Sequence, residues 1–344
     1  MITTRSVRIF LIGLTLTFLM TVIPHLGFKQ NKTIVSPLSK TTDIWDKITP
    51  KLELKQNSFQ VKRQLISNVS AGGDYDKASA YAVVDFDSGE VLASKNLSAK
   101  MPMASLTKVM TAVVALDLAE PDEYFTVTRQ AASQIPTKVM LKAGEQYRLE
   151  DLLQHALISS ANDSSYAIKD GIDAKYRSGT FIAAMNKKAK FIGLKNTQFS
   201  NPAGLDSANH YSSVEDLAVL SAYALKNYPL ISEIVALEIS DLTNNGEDMR
   251  FYLQNWNGLM GVYPNISGVK IGNTGKAGNC TIVLSERNGK KIIAVVLGAP
   301  GVLERDLWAS QLLDLGFSKA AGLEPIYITE DELQDKYASW QYFE

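Results

Sequence analysis

The sequence predicts an α+β domain in which strands from both ends of the domain share one antiparallel sheet and helices occupy the middle. Two observations support this fold class. The apolar segment Ala80–Phe86 is followed by a glycine-containing turn and a second apolar segment. Towards the other end, Asn288-Gly289 separates two apolar runs, and this dipeptide is the strongest short signal of a β-hairpin. Between the two hairpins, apolar residues recur at helical spacing.

The elements follow from local patterns. Asp87-Ser88-Gly89 closes a first hairpin between Ala80–Phe86 and Val91–Ala93. A helix is predicted from about Ser105 to Ala119, because Pro121 cannot continue it. Apolar residues recur every three to four positions between Leu149 and Ile158. The remaining predicted elements are helices at 181–191 and 213–225, strands at 266–271, 281–285 and 291–297, and a covering helix at 302–317.

The N-terminal segment is expected to direct the chain to a membrane. Arg5 and Arg8 precede residues 9–28, which contain no Asp, Glu, Lys or Arg and are long enough to cross a bilayer core of ~30 Å. An uncleaved anchor and a cleaved signal peptide both fit residues 1–28, and both leave the rest of the chain outside the cytoplasmic membrane. We expect a polar spacer at 29–76, a catalytic domain at 77–318 and a short tail at 319–344.

Composition excludes several functional classes. The formal net charge of −1 over 344 residues argues against nucleic-acid binding, which needs a concentrated basic face. The single cysteine, Cys280, cannot form an intrachain disulfide. The three histidines are scattered without a zinc-ligand spacing, and the sequence has neither a G-x-S-x-G elbow nor a phosphate-binding loop. No metal or cofactor is therefore expected.

Three short motifs carry the chemistry: Ser105-Leu106-Thr107-Lys108, Ser160-Ala161-Asn162 and Lys270-Ile271-Gly272. Each is weak alone, but their order and spacing together are specific. A serine at a helix start lies near free backbone N–H groups, and a lysine three residues later shares its face. Lys108 can act as a base towards the Ser105 hydroxyl only if burial and positive neighbours lower its pKa.

The other two motifs have both functional and structural interpretations. Ser160 is interpreted either as a proton relay to a leaving amine or as a loop or capping hydroxyl. Asn162 is interpreted either as an amide that orients the substrate or as a turn residue. Lys270 fits an edge-strand lysine that prevents aggregation. It equally fits a partner for the carboxylate of a substrate laid along the strand, where Gly272 would permit close approach.

These motifs and the segments around them resemble the D-alanyl-D-alanine carboxypeptidases, the low-mass serine penicillin-binding proteins. The segments that carry the resemblance are Pro102–Ala112, Ser159–Asp163, Asn201–Asp206, His210-Tyr211-Ser212 and Gly268–Cys280. The resemblance spans about residues 77–318. It implies a penicillin-binding/β-lactamase-like fold, with a five-stranded antiparallel sheet and an all-helical lobe.

The resemblance also implies the reaction. Ser105 would attack the penultimate D-Ala carbonyl of a peptidoglycan stem peptide, the terminal D-Ala would leave, and water would release the acyl group. Lys108 and Ser160 would be catalytic, whereas Asn162, Lys270, Gly272 and Asn273 would bind substrate. The backbone N–H groups of Ser105 and Asn273 would form the oxyanion hole. β-Lactams would act as covalent inhibitors.

One departure leaves alternatives open. The family's third motif is normally Lys-Thr-Gly, and Ile271 here replaces the threonine. A catalytically weak peptidoglycan-binding module and a D,D-endopeptidase acting on cross-links therefore remain alternatives. A class A β-lactamase needs a carboxylate between the second and third motifs, but residues 174–205 contain no Asp or Glu.

Overall fold

The computed structural model describes residues 59–62, 73–243 and 250–340. Nine strands lie in these ranges and form one five-stranded sheet and two small hairpins. The strands are β1 (Ala80–Asp85), β2 (Val91–Lys95), β3 (Tyr124–Thr126), β4 (Gln146–Arg148), β5 (Ile239–Thr243), β6 (Arg250–Gln254), β7 (Ile266–Thr274), β8 (Gly278–Arg287) and β9 (Lys290–Ala299).

The five-stranded sheet is antiparallel throughout and has the order β2-β1-β9-β8-β7. Strands from both ends of the domain therefore meet at its centre, where Ala82 pairs with Val295. The β8–β9 turn places Asn288 and Gly289 at φ values of 50° and 74°, the left-handed geometry that matches the twist of two paired strands. The predicted fold class and this hairpin are confirmed.

The helices of the described ranges follow the chain in nine segments, preceded by 3₁₀ turns at Asp74–Lys77 and Ala104–Thr107. They are α1 (Lys108–Leu118), α2 (Arg129–Ala132), α3 (Leu149–Leu157), α4 (Asn162–Lys175), α5 (Thr180–Ile192), α6 (Val214–Asn227), α7 (Pro229–Val235), α8 (Val302–Ala321) and α9 (Glu330–Ala338).

Alternation along β1 divides the apolar core between the two faces of the sheet. Tyr81 and Val83 join a cluster with Trp308 and Leu312 of α8. Ala82 and Val84 face the larger cluster, which contains α6 and the helices α1, α3, α4 and α5. Within that helical lobe, fully buried Lys188 on α5 pairs with Asp117 on α1 at 2.6 Å. The three motifs lie where this lobe meets the β7 edge.

Several local expectations need correction. The helix predicted from Ser105 begins as a 3₁₀ turn, and regular α-helix starts only at Lys108. Asn162, for which a turn residue was the structural interpretation, is instead the first residue of α4. The hairpins β3–β4 and β5–β6 and the helices α2, α7 and α9 were not predicted.

The elements expected in the N-terminal part of the chain fall largely outside the described residues. The anchor or signal segment at 1–28 lies wholly outside them, and the proposed spacer is described only at 59–62 and 73–76. Phe59 is buried in the larger core cluster, and Lys62 forms a bridge to Glu90. Among the described residues, no helix combines the length and apolar character needed to cross a bilayer.

Candidate active site

The turn that carries Ser105 is held in an unusual backbone geometry. Ala104, directly before it, has φ of 49°, a region that a residue with a Cβ rarely occupies. The Thr107 hydroxyl donates a hydrogen bond to the Ala104 carbonyl at 2.8 Å and so closes the turn. Ser105 lines a cavity of about 780 Å³ between the helical lobe and β7. The turn therefore presents a hydroxyl to a space large enough for a peptide.

Lys108 lies fully buried one turn further on. Its Nζ is 2.7 Å from Ser105 Oγ, 2.9 Å from Asn162 Oδ1 and 2.8 Å from the Ala203 carbonyl oxygen. The last two groups can only accept, whereas the serine hydroxyl can also donate. A neutral amine satisfies all three, because its two N–H bonds point to the acceptors and its lone pair accepts the serine proton.

Electrostatics favours that neutral form. Burial lowers the pKa of Lys108 well below its ordinary value, and the nearby positive charge of Lys270 lowers it further. Asp163 opposes the shift with a smaller effect. The condition that sequence analysis placed on Lys108, burial beside a positive neighbour, is therefore met.

The second motif leads from the turn after α3 into the first residue of α4. Ser160 is buried, has φ of 62° and lines the same cavity as Ser105. The Asn162 amide donates to the Ile135 carbonyl at 3.0 Å, and this bond fixes its oxygen towards Lys108. Asn162 therefore positions the lysine as well as facing the cavity.

The third motif lies on β7, at the edge of the sheet. Lys270 is 3% exposed, and its Nζ donates to the Ile271 carbonyl at 3.1 Å. Burial, followed by the charge of Arg305, lowers the pKa of Lys270 to about 7. Arg305 is itself buried at the start of α8 and lines the cavity. Lys270 and Arg305, the latter paired with Asp306, therefore place positive charge near the buried Lys108 amine.

Gly272 allows β7 to pack against the serine turn. A Cβ at this position would lie 2.7 Å from the Ser105 backbone nitrogen and 2.9 Å from Ala104 Cβ, closer than real side chains approach. One neighbour is a backbone atom and the other is a Cβ, so neither can move aside as the end of a flexible side chain could. The backbone of β7 therefore meets the Ser105 amide only because residue 272 is glycine.

The residues next to Gly272 face the cavity. Ile271 is half-buried and lines the cavity together with Asn273 and Thr274. The Thr274 hydroxyl donates to Asp206 Oδ1 at 2.7 Å, so this hydroxyl is already engaged. The side-chain amide of Asn273 donates to Asn279 Oδ1 at 2.7 Å.

Sequence reasoning missed the role of His210. Its Nδ1 accepts the Ser200 backbone N–H at 3.0 Å, and its Nε2 lies 2.7 Å from the Thr107 hydroxyl. Burial lowers the pKa of His210 to about 4, so the ring is neutral at pH 7 and Nε2 carries the hydrogen. The imidazole therefore links the loop that contains Ala203 to the serine turn.

Two further features of the cavity carried no usable sequence signal. The Ala203 carbonyl is a backbone group, so no residue type reveals it. Trp256, after β6, and Trp340, after α9, both line the cavity, although they lie 84 residues apart in the chain.

The arrangement is suited to acyl transfer. It combines a hydroxyl, a buried amine of lowered pKa within hydrogen-bond distance, a second buried hydroxyl, and the nearby side chains of Lys270 and Arg305. Among the described residues, no cluster of His, Cys, Asp and Glu is arranged to hold a metal ion.

Comparisons with known proteins agree with this chemistry. The sequence model of the D-alanyl-D-alanine carboxypeptidase family, peptidase S11, matches residues 68–301. The carboxypeptidase DacF of Bacillus subtilis is 34% identical over 248 residues, which cover 71% of this chain and 63% of that protein. DacD of Escherichia coli is 34% identical over 251 residues, 70% of this chain and 63% of that protein. The chain thus spans somewhat less than two thirds of these relatives.

Solved structures give the same result for the fold. Penicillin-binding protein D2 of Listeria monocytogenes, in its ampicillin-bound form, superposes with a TM-score of 0.62 at 30% identity, covering 70% of this chain and 97% of that one. The Streptomyces K15 DD-transpeptidase gives a TM-score of 0.65 at 26% identity, covering 70% and 97%. The family match covers more than half of the sequence and includes all three motifs, so the chain belongs to the D-alanyl-D-alanine carboxypeptidase family.

Proposed function

We propose that this protein is a serine D-Ala-D-Ala carboxypeptidase that removes the terminal D-Ala from peptidoglycan stem peptides. The observation that carries the proposal is the 2.7 Å contact between Ser105 Oγ and a buried Lys108 whose pKa is strongly lowered. Curated relatives that match most of the catalytic region are named as enzymes of this activity.

The proposed reaction has two halves. Lys108 takes the Ser105 proton while Oγ forms a bond to the penultimate carbonyl carbon. The tetrahedral intermediate then expels the terminal D-Ala amine, which receives a proton through Ser160. Water next attacks the ester carbonyl carbon, and its proton passes through the same groups to Ser105 Oγ as the bond to Oγ breaks. The shortened peptide and free Ser105 are released.

Other residues would bind and stabilise the substrate. The backbone N–H groups of Ser105 and Asn273 are proposed to hold the oxyanion, an assignment supported by the close packing of Gly272 against the Ser105 amide. Lys270 would attract the terminal carboxylate, and Asn162 would orient the substrate backbone. A D,D-endopeptidase would use the same residues, whereas the close Ser105–Lys108 contact argues against a silent binding module.

We further propose that the domain acts outside the cytoplasmic membrane, held there by residues 9–28. The substrate lies in the cell envelope, and the apolar N-terminal run follows two arginines. Deleting residues 1–28 should release a soluble domain that still binds penicillin. Retention of the truncated domain in washed membranes would contradict the anchor.

A fluorescent penicillin tests the catalytic assignment. Covalent labelling should occur, and trypsin should place the adduct on Met101–Lys108, the peptide that contains Ser105. Ser105→Ala should abolish labelling, whereas Ser133→Ala, at an exposed serine, should not change it. An adduct that persists in Ser105→Ala would refute the assignment.

A further inference from the structure

The segment that follows α8 returns to the active site. Thr329 and Glu332 form a capping box that starts α9, and Leu333 is fully buried in the cluster below the sheet. Lys336 forms an ion pair with Glu238. These contacts bring the chain back so that Trp340 lines the cavity that contains Ser105.

Trp340 packs against a second indole. Its ring lies 5.2 Å from that of Trp256 in an edge-to-face arrangement and 4.8 Å from the ring of Tyr337. Trp340 is only 9% exposed. We call Trp256 and Trp340 the tryptophan wall.

A closed set of contacts fixes this wall to the cationic end of the site. The Tyr337 hydroxyl donates to Asp306 Oδ2 at 2.9 Å. Asp306 accepts two hydrogen bonds from Arg305, at 2.7 and 2.8 Å, and Arg305 also donates to the Trp256 carbonyl at 3.0 Å. The tryptophan wall is therefore tied to Arg305, which lines the cavity and whose charge acts on Lys270.

We infer that the tryptophan wall forms the pocket for the side chain of the leaving residue and limits that residue to a small one. The inference rests on the proposed function. A terminal carboxylate drawn towards Lys270 and Arg305 belongs to the leaving residue, so its side chain lies beside the cavity wall at that end. Ile271 and Val302 complete an apolar lining there. The Trp256 carbonyl is bonded to Arg305 and the Trp340 ring packs on Tyr337, and these contacts hold the wall in place beside a bound side chain.

Substrate discrimination tests this inference. Values of kcat/KM are measured on two otherwise identical peptides, one ending in D-Ala-D-Ala and one in D-Ala-D-Leu. The unaltered enzyme should prefer the terminal D-Ala at least tenfold. Trp340→Ala should raise the D-Leu to D-Ala ratio at least tenfold, whereas Trp340→Phe, which keeps an aromatic ring, should change it less than threefold. Tyr327→Ala, at an exposed aromatic of the same segment, should leave the ratio unchanged.

The outcomes separate the two proposals. If the unaltered enzyme neither reacts with penicillin nor cleaves D-Ala-D-Ala, the proposed function fails. If it does both but shows no preference, or if Trp340→Ala lowers cleavage of both peptides equally, the inference alone is overturned. Circular dichroism and penicillin labelling verify folding, and Trp340→Leu replaces the alanine variant in the same comparison if that variant does not fold.

Discussion

Lys270 should make recognition of the substrate carboxylate depend on pH. Burial and the charge of Arg305 lower its pKa to about 7, so the side chain loses its proton as pH rises through neutrality. With that pKa, about 90% of the free enzyme carries the ammonium at pH 6 and about 9% at pH 8. A carboxylate bound to Lys270, as proposed, would therefore lose its charged partner within the physiological range.

The magnitude follows from these fractions. A hydrogen bond to a charged group contributes about 1.5–3 kcal/mol, equivalent to about 10- to 150-fold in kcat/KM. Relative to an amidated peptide, kcat/KM for the acid should fall about five- to tenfold between pH 6 and pH 8, the smaller fall corresponding to the weaker bond. Lys108 titration affects both peptides equally, so it cancels in the ratio.

The assay compares a D-Ala-D-Ala peptide with its C-terminal amide from pH 6 to pH 9, because kcat/KM reports the pKa values of the free enzyme. Lys270→Met should flatten the acid-to-amide ratio and lower it to the high-pH value. Lys142→Met, at an exposed lysine, should retain the pH dependence. A constant ratio in the unaltered enzyme, or equal loss on acid and amide in Lys270→Met, would refute the reasoning.

Two further substitutions probe β7. Ile271→Thr should raise kcat/KM on D-Ala-D-Ala peptides several-fold, because the side chain lines the cavity and a hydroxyl there adds a carboxylate donor; lower thermal stability without faster turnover would show instead that Ile271 serves packing. Gly272→Ala should slow penicillin acylation at least tenfold. The added Cβ would lie 2.7 Å from the Ser105 backbone nitrogen, and restoring an ordinary contact of 3.4 Å shifts the serine turn or β7 by about 0.7 Å. Acylation at the original rate would mean that β7 does not position the serine turn.

The sequence predicted the sheet because its signals are local. Asn288-Gly289 requires left-handed backbone that few other pairs adopt, and the apolar runs beside it leave one register for burial. The same holds for α3, whose ends were predicted within one residue. Strands of three residues such as β3 and β4 carry too little periodicity to be detected, and they form only because the helical lobe buries Phe125 and Tyr147 between them.

In the candidate site, too, some residues were predicted from the sequence and others were not. Serine, lysine and asparagine at the spacing of the motifs can be recognised from the sequence, and in the structure Lys108 contacts both Ser105 and Asn162. Arg305 gave no signal because its relation to Lys270 arises from the packing of α8 beside the sheet. Trp340 gave none because its place depends on a helix whose capping residues were not interpreted. Groups that act through tertiary packing are those that sequence patterns do not reveal.

The central pairing of β1 with β9 has a consequence for biosynthesis. About 205 residues separate the end of β1 from the start of β9. At about 5–20 residues per second, that interval takes roughly 10–40 s, during which one edge of the first hairpin has no partner strand. Lys270 is also made late, so the nascent chain carries Ser105, the proposed nucleophile, long before the lysine proposed to attract the carboxylate. A chain stalled before β9 therefore lacks the central strand that joins the β1–β2 hairpin to β8 and β7, and penicillin labelling should report only on completed molecules.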